Sequence, residues 1–137
     1  MVEKLLQFAT DNLLLVAIFV VLLVLLLLNE MRRGGKSLSN GQLTALVNAD
    51  KAVVIDVRPS KEYAAGHIVG ALNIPHDKLL GRVGELEKYK GKTLILADTM
   101  GQQAGALCRE LLKSGFDAAR LSGGVSSWKA DNLPLVK

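Results

Sequence analysis

The residues of this chain that could act on a substrate gather in one short stretch. Asp98-Thr99-Met100-Gly101-Gln102-Gln103-Ala104 follows the apolar run Thr93–Ala97 and leads into a segment with helical spacing, about Gln103 to Lys113. A turn between a strand and a helix converges backbone N–H groups at the helix N-terminus and forms an anion site. Group transfer there needs a nucleophile at the start of the loop, most simply a thiolate stabilised by those amides. Position 98 instead holds an aspartate, and Thr99 has no histidine close in sequence to activate it. Two arrangements are open to the carboxylate. It can fold back onto the amides and fill the anion site from within, or it can face solvent.

The other reactive side chains are scattered. Cys108, the single cysteine, is the fallback thiol; without a second one there is no intrachain disulfide. Leu107, Cys108, Leu111 and Leu112 share one helical face, so a buried and inert thiol is expected. His67, His76 and Cys108 contain no pair at ligand spacing, so neither a metal nor a cofactor is expected. Asp56, Arg58 and Glu62, beside Gly66 and His67, are expected to form a charged bracket that supports a turn.

These residues need a framework that places them. Ala52–Val57 and Thr93–Ala97 are continuous apolar runs, the pattern of buried parallel strands. Ile68 to Ile74 contains another strand, stopped by Pro75, and Ala118–Leu121 a fourth. Helical stretches separate them: one after Ser39 or Asn40 as cap, a short one over Ser60–Ala65, broken pieces over 76–89, one to Lys113, and one from Gly123-Gly124 through Trp128. Alternation of this kind predicts an α/β domain over 37–137, a parallel sheet flanked by helices on both faces. Ligands in such folds sit beyond the carboxyl ends of the strands, which is where the loop at Asp98 falls.

Residues 1–36 have a different character. From Leu13 to Leu28, sixteen residues run without a charge or hydroxyl; as helix they rise about 24 Å, against a hydrocarbon core of roughly 30 Å. Asn12 and Asn29 at the edges, with Phe8, Ala9 and Thr10 before them, are expected to occupy the interface, which makes the total adequate for one pass. The flank before it carries Glu3, Lys4 and Asp11 rather than a basic cluster, and no small-residue cleavage site follows, so a single-pass anchor over about 12–29 is expected rather than a signal peptide. Arg32, Arg33 and Lys36 lie just after the run, which by the positive-inside rule places the N-terminus outside and the C-terminal domain in the cytoplasm. Asn29 to Lys36, with Gly34-Gly35, is expected to be a short flexible tether.

The 101 residues that remain suffice for one small core, which excludes a multidomain enzyme; a disordered chain, a polytopic transporter and a disulfide-rich module are excluded as well. The net charge of +4 does not mark a nucleic-acid platform. Basic residues are dispersed, aromatics make up 4%, and the nearest approach to a basic run is Lys88, Lys90 and Lys92.

The chain resembles the rhodanese-homology domains. The resemblance is carried by Asp56-Val57-Arg58, Glu62-Tyr63 and Gly66-His67-Ile68-Val69-Gly70-Ala71-Leu72-Asn73-Ile74-Pro75, then Gly115-Phe116 and Leu121-Ser122-Gly123-Gly124-Val125 with Trp128. The anchor-plus-domain layout is similar to that of single-pass bacterial inner-membrane rhodanese-like proteins. The resemblance implies sulfurtransferase chemistry in active members, which begin the loop with Cys, place Arg five residues later and carry sulfane sulfur as a persulfide. Those positions are Asp98 and Gln103 here. The expectation is a catalytically silent domain that binds or scaffolds a membrane or membrane-proximal protein at the inner face of a bacterial membrane, with residues 12–29 in the lipid and no nucleic acid or metal as partner. Sulfur transfer through Cys108 is the alternative.

Overall fold

The computed structural model describes the backbone of residues 1–33 and 36–137 and the side chains of 1–29 and 36–137. The chain divides into two units, Met1–Arg32 and Arg33–Lys137.

The first unit holds two helices, α1 (Val2–Asp11) and α2 (Leu13–Arg33). Asn12 separates them. Its N–H and its side-chain amide both donate to Phe8 O at 3.0 Å, which ends α1, and its carbonyl accepts from Val16 N at 3.0 Å, which starts α2. α1 and Leu13–Asn29 meet at 96°. Phe8, Ala9 and Thr10, expected at the interface, belong to a separate helix that turns away from the line of the apolar run. Among the described residues no single helix is long and apolar enough to cross a membrane, although Val2–Asp11 and Leu13–Asn29 are so taken together. The expected tether is also shorter. Glu30 to Arg33 are good helix formers with no breaker before Gly34, and α2 continues through them. Lys36 already belongs to a strand, and the flexibility expected at Gly34-Gly35 falls outside the described residues.

The second unit begins with β1 (Lys36–Leu38), which pairs in parallel with a strand more than eighty residues away. Ser39 caps α3 (Asn40–Asn48) through a capping box with Gln42, so the cap is Ser39 and not Asn40. Next come β2 (Ala52–Asp56), α4 (Ser60–Ala65), β3 (His67–Ile68), β4 (Leu72–Asn73), a kinked 3₁₀ stretch (Leu80–Tyr89), β5 (Thr93–Ala97), α5 (Ala104–Lys113), β6 (Asp117–Leu121), α6 (Gly124–Ala130) and β7 (Leu135–Val136). The strand expected within Ile68–Ile74 is split by a turn at Gly70, where φ is +80°. Its first half pairs antiparallel with β7, while Leu72-Asn73 joins the main sheet beside β2.

The main sheet is parallel throughout, in the order β1-β6-β5-β2-β4. Both faces are covered. Leu94 and Leu96 of β5 pack with Ile55, Leu107, Cys108 and Leu111; Ile95 and Ala97 face the other way, onto Val54, Leu43, Val125 and Trp128. This two-sided burial is why the strands read as unbroken apolar runs rather than alternating ones. Chain direction fixes the crevice. From β2 the chain moves to β4 on one side, and from β5 it moves to β6 on the other, so the carboxyl ends of β2 and β5 flank the switch point where ligands bind in open α/β sheets.

Candidate functional site

Asp98 stands at the carboxyl end of β5, the central strand, beside the residues that follow β2; Val57 N donates to Ala97 O at 2.9 Å. Its side chain is 3% exposed and turned inward. Oδ1 accepts from Gly101 N; Oδ2 accepts from Gln103 N at 2.6 Å and from Ala104 N at 3.2 Å. Gln103 is the N-cap of α5 and Ala104 its first residue, so these N–H groups are among those a helix start leaves unpaired. Of the two arrangements open to the carboxylate, the structure contains the inward one. An anion that entered this loop would have to displace a carboxylate bonded to three amides, and then sit against its charge.

The loop is clamped from behind. Asp98 O accepts from Val125 N at 2.8 Å and Thr99 O from Ser126 N at 2.9 Å, which ties the first turn of α6 to the loop backbone. Gly124 makes that approach possible: φ is +61°, and a Cβ there would lie 2.4 Å from Asp98 O and 2.8 Å from Met100 N. Gly124→Ala is therefore expected to destabilise the domain by about 2 kcal/mol, from left-handed strain and displacement of the loop. Urea unfolding followed through Trp128 fluorescence measures it, since Trp128 is the sole tryptophan and is buried in this domain.

The charged bracket divides into two separate features. Arg58 and Asp56, 4% and 1% exposed, form a forked pair with Nη2 to Oδ2 at 2.8 Å and Nε to Oδ1 at 3.0 Å. Arg58 also donates to Gly66 O at 2.7 Å, tying the end of β2 to the turn before β3. Burial demands this satisfaction, because a lone charge at either position would be strongly destabilising. Arg58 is thereby spent on structure and offers no charge to a ligand. Glu62 takes no part in the bracket, contrary to expectation. It sits in the exposed first turn of α4 and accepts from Thr99 Oγ1 at 3.2 Å, so it borders the loop instead. His67 is structural: its ring stacks on Tyr63 at 3.7 Å, and Nδ1 lies 2.9 Å from Tyr63 O. Two supporting roles went unseen in the sequence. Asn73 donates to both Asp56 O and Arg58 O, and the Tyr63 hydroxyl donates to Ala71 O at 2.6 Å. Asn73, a lone amide between Leu72 and Ile74, was the available signal.

Met100 and Gln103 are exposed, as is Gln102, and no cationic side chain occupies positions 98–103. Cys108 is fully buried in the core beneath α5. Burial pushes its thiol from 9.0 up to about 12; the Arg120 charge opposes this, and the Asp98 charge adds a lesser push upward. Leu112 departs from expectation: it is 40% exposed, at the edge of the face that buries Leu111. Such a thiol is neither accessible nor ionised at neutral pH. Alkylation by a maleimide is expected to run at least about a hundredfold slower in the native protein than in denaturant. The linkage has a definite sign. The folded value lies above the unfolded one, so the contribution of the thiol to stability is complete below about pH 9 and is lost as pH rises toward 12.

Among the described residues no three His, Cys, Asp or Glu side chains converge as a metal would require. The lysines near Gly91 are individually engaged: Lys90 pairs with Glu87 at 3.2 Å, Lys92 with Asp50 at 2.7 Å, and Lys88 lies over the Tyr89 ring.

The family model of the rhodanese-like domain matches residues 39–131, which takes in the whole sheet beyond β1, the loop at Asp98 and α6. The chain belongs to the rhodanese-like domain family. It is similar to the uncharacterized protein YibN of Escherichia coli K12, 34% identical over 98% of each chain. It is also similar to the thiosulfate sulfurtransferase GlpE of Shewanella oneidensis, 29% identical over 71% of this chain and 95% of that one. Among solved structures, a rhodanese-related protein from Thermoplasma volcanium superposes with a TM-score of 0.67 at 26% identity, covering 74% of this chain and 97% of that one. The YibN match covers 98% of the chain and so takes in most of residues 1–36, whereas the rhodanese-like model begins at Ser39.

Proposed function

We propose that this chain is a membrane-anchored rhodanese-like domain without sulfurtransferase turnover, which acts by binding or scaffolding another membrane or membrane-proximal protein. One observation carries the silent site: the Asp98 carboxylate takes the three amides that would otherwise hold an anionic donor, where group transfer needs a thiolate. Gln103 supplies no compensating positive charge, and the remaining thiol, Cys108, lies in the core.

The membrane reading draws on α2. Leu13–Leu28 is apolar on every side, and apart from Val16 at the corner its large residues are exposed, a surface that water would not tolerate uncovered. Residues 12–29 then lie in the lipid, and Arg32, Arg33 and Lys36 favour the cytoplasmic side for the domain, with the N-terminus outside the bacterial inner membrane. Only two residues separate the end of α2 from the start of β1 in sequence, a linker too short to let the domain or its partner work far from the membrane surface. Protease added to spheroplasts is expected to leave the domain intact; its digestion without lysis would reverse the orientation.

The rival reading, sulfur transfer through Cys108, is favoured by the likeness to a thiosulfate sulfurtransferase. Assay of the full chain in detergent with thiosulfate and cyanide separates the two. No thiocyanate above the blank is expected, and turnover abolished by Cys108→Ser would establish the rival.

A further inference from the structure

The anchor reading rests on the apolar run of α2 and assigns α1 no role. On a helical wheel of about 100° per residue, Val2, Leu5, Leu6, Phe8 and Ala9 fall within a sector of about 160°, and Glu3, Lys4, Gln7, Thr10 and Asp11 within the opposite 120° or so. No residue is out of place. Val2, Leu5, Leu6 and Phe8 are each more than 60% exposed, so nothing in the first unit covers this face. The helix meets Leu13–Asn29 at 96°, and the corner is held by the two hydrogen bonds that Asn12 N and Nδ2 donate to Phe8 O. Ala9, Asn12 and Val16 are the partly covered residues of the corner. Ala9 belongs to the apolar sector, so α2 leaves α1 on the apolar side.

We infer that α1 is an in-plane foot, whose apolar face lies at the boundary of headgroups and acyl chains of the same bilayer that α2 crosses. This rests on the membrane reading of α2. Given that reading, a helix perpendicular to the span lies parallel to the surface, and departure of the span from the apolar side turns Val2, Leu5, Leu6 and Phe8 toward the acyl chains and the charged face toward water. The foot also answers a shortfall in length. Leu13–Asn29 rises about 25 Å, less than the roughly 30 Å core, and an amphipathic helix seated in the interface lets the chain reach water without more apolar residues. Lipid is favoured over a protein partner as occupant because the face is continuous with an all-apolar helix and has no polar group within it.

The test places single fluorescent labels on the full chain, in a Cys108→Ala background, reconstituted into vesicles of phosphatidylethanolamine and phosphatidylglycerol. The labelled variants are Glu3→Cys, Leu5→Cys, Gln7→Cys, Phe8→Cys and Leu22→Cys, and depth is read by quenchers carried on lipids at shallow and deep positions. The expected result is deep quenching at 22, shallow lipid quenching with blue-shifted emission at 5 and 8, and water-like emission at 3 and 7. Water-like emission at all four α1 positions with 22 deep would overturn the foot and leave the anchor standing. A steady gain in depth from 3 to 8, without helical periodicity, would overturn it by making α1 part of the span. Protection of 5 and 8 in native membranes but not in lipid vesicles would overturn it in favour of a protein partner. A label at 22 that no lipid quencher reaches would remove the anchor and the foot with it.

Discussion

Asp98→Ala is expected to lower the stability of the rhodanese-like domain by about 3 kcal/mol, more than a substitution at an ordinary loop aspartate. The carboxylate is buried and serves three backbone donors, two of them at the start of α5. Its removal strips the helix of a charge-assisted cap and leaves the N–H groups of Gly101, Gln103 and Ala104 to whatever water can enter. Asp98→Asn separates geometry from charge. Its carbonyl can still accept from Gln103 and Ala104, but its NH2 then opposes the Gly101 N–H, so it is expected to recover part of the loss and not all of it. Urea titration with unchanged slope and a lowered midpoint is the signature; an Asp98→Ala midpoint equal to wild type would mean the three bonds contribute nothing.

The second large effect is a gain. Asp98→Cys with Gln103→Arg is expected to raise sulfur transfer from the blank to a measurable rate. The introduced thiol would start the loop under the same amides, which stabilise a thiolate, and the introduced guanidinium would place a positive charge at the helix start where Gln103 is exposed. The thiolate attacks the sulfane sulfur of thiosulfate, breaking its S–S bond and releasing sulfite; cyanide then takes that sulfur from the persulfide as thiocyanate and returns the thiolate. Asp98→Cys without the arginine is expected to be slower, because the donor dianion then meets fewer positive partners. A folded double variant that releases no thiocyanate would show that the clamp of α6 onto the loop, through Val125 N and Ser126 N, holds a backbone unsuited to the reaction.

What could be read from the sequence follows physical range. β2 and β5 were visible because burial on both faces writes an unbroken apolar run into local sequence, and Ser39 with Gln42 because a capping box is local too. β1 and β7 were not seen. Each is two or three residues long and exists only through a distant partner, β6 in one case and β3 in the other. The site divides in the same way. The missing nucleophile at position 98 was plain, and so was the loop as an anion site, but the inward turn of the carboxylate depends on three amide directions that spacing does not record. Nearness in sequence groups Glu62 with Asp56 and Arg58; the fork is complete without it, and the pairing of β2 with β5 brings Thr99 within its reach instead. The right angle at Asn12 is not legible in the sequence for a similar reason. An asparagine at the edge of an apolar run marks a boundary equally well whether the helix bends there or merely enters water.

Because Asp98 already occupies the loop, the decisive experiment is isothermal titration of thiosulfate into the full-length chain in detergent. The wild-type protein is expected to give no resolvable heat, and Asp98→Ala, in which the amides are free to meet the anion, to bind measurably. Tight binding by the wild-type protein, or binding that Asp98→Ala abolishes, would contradict that occupancy.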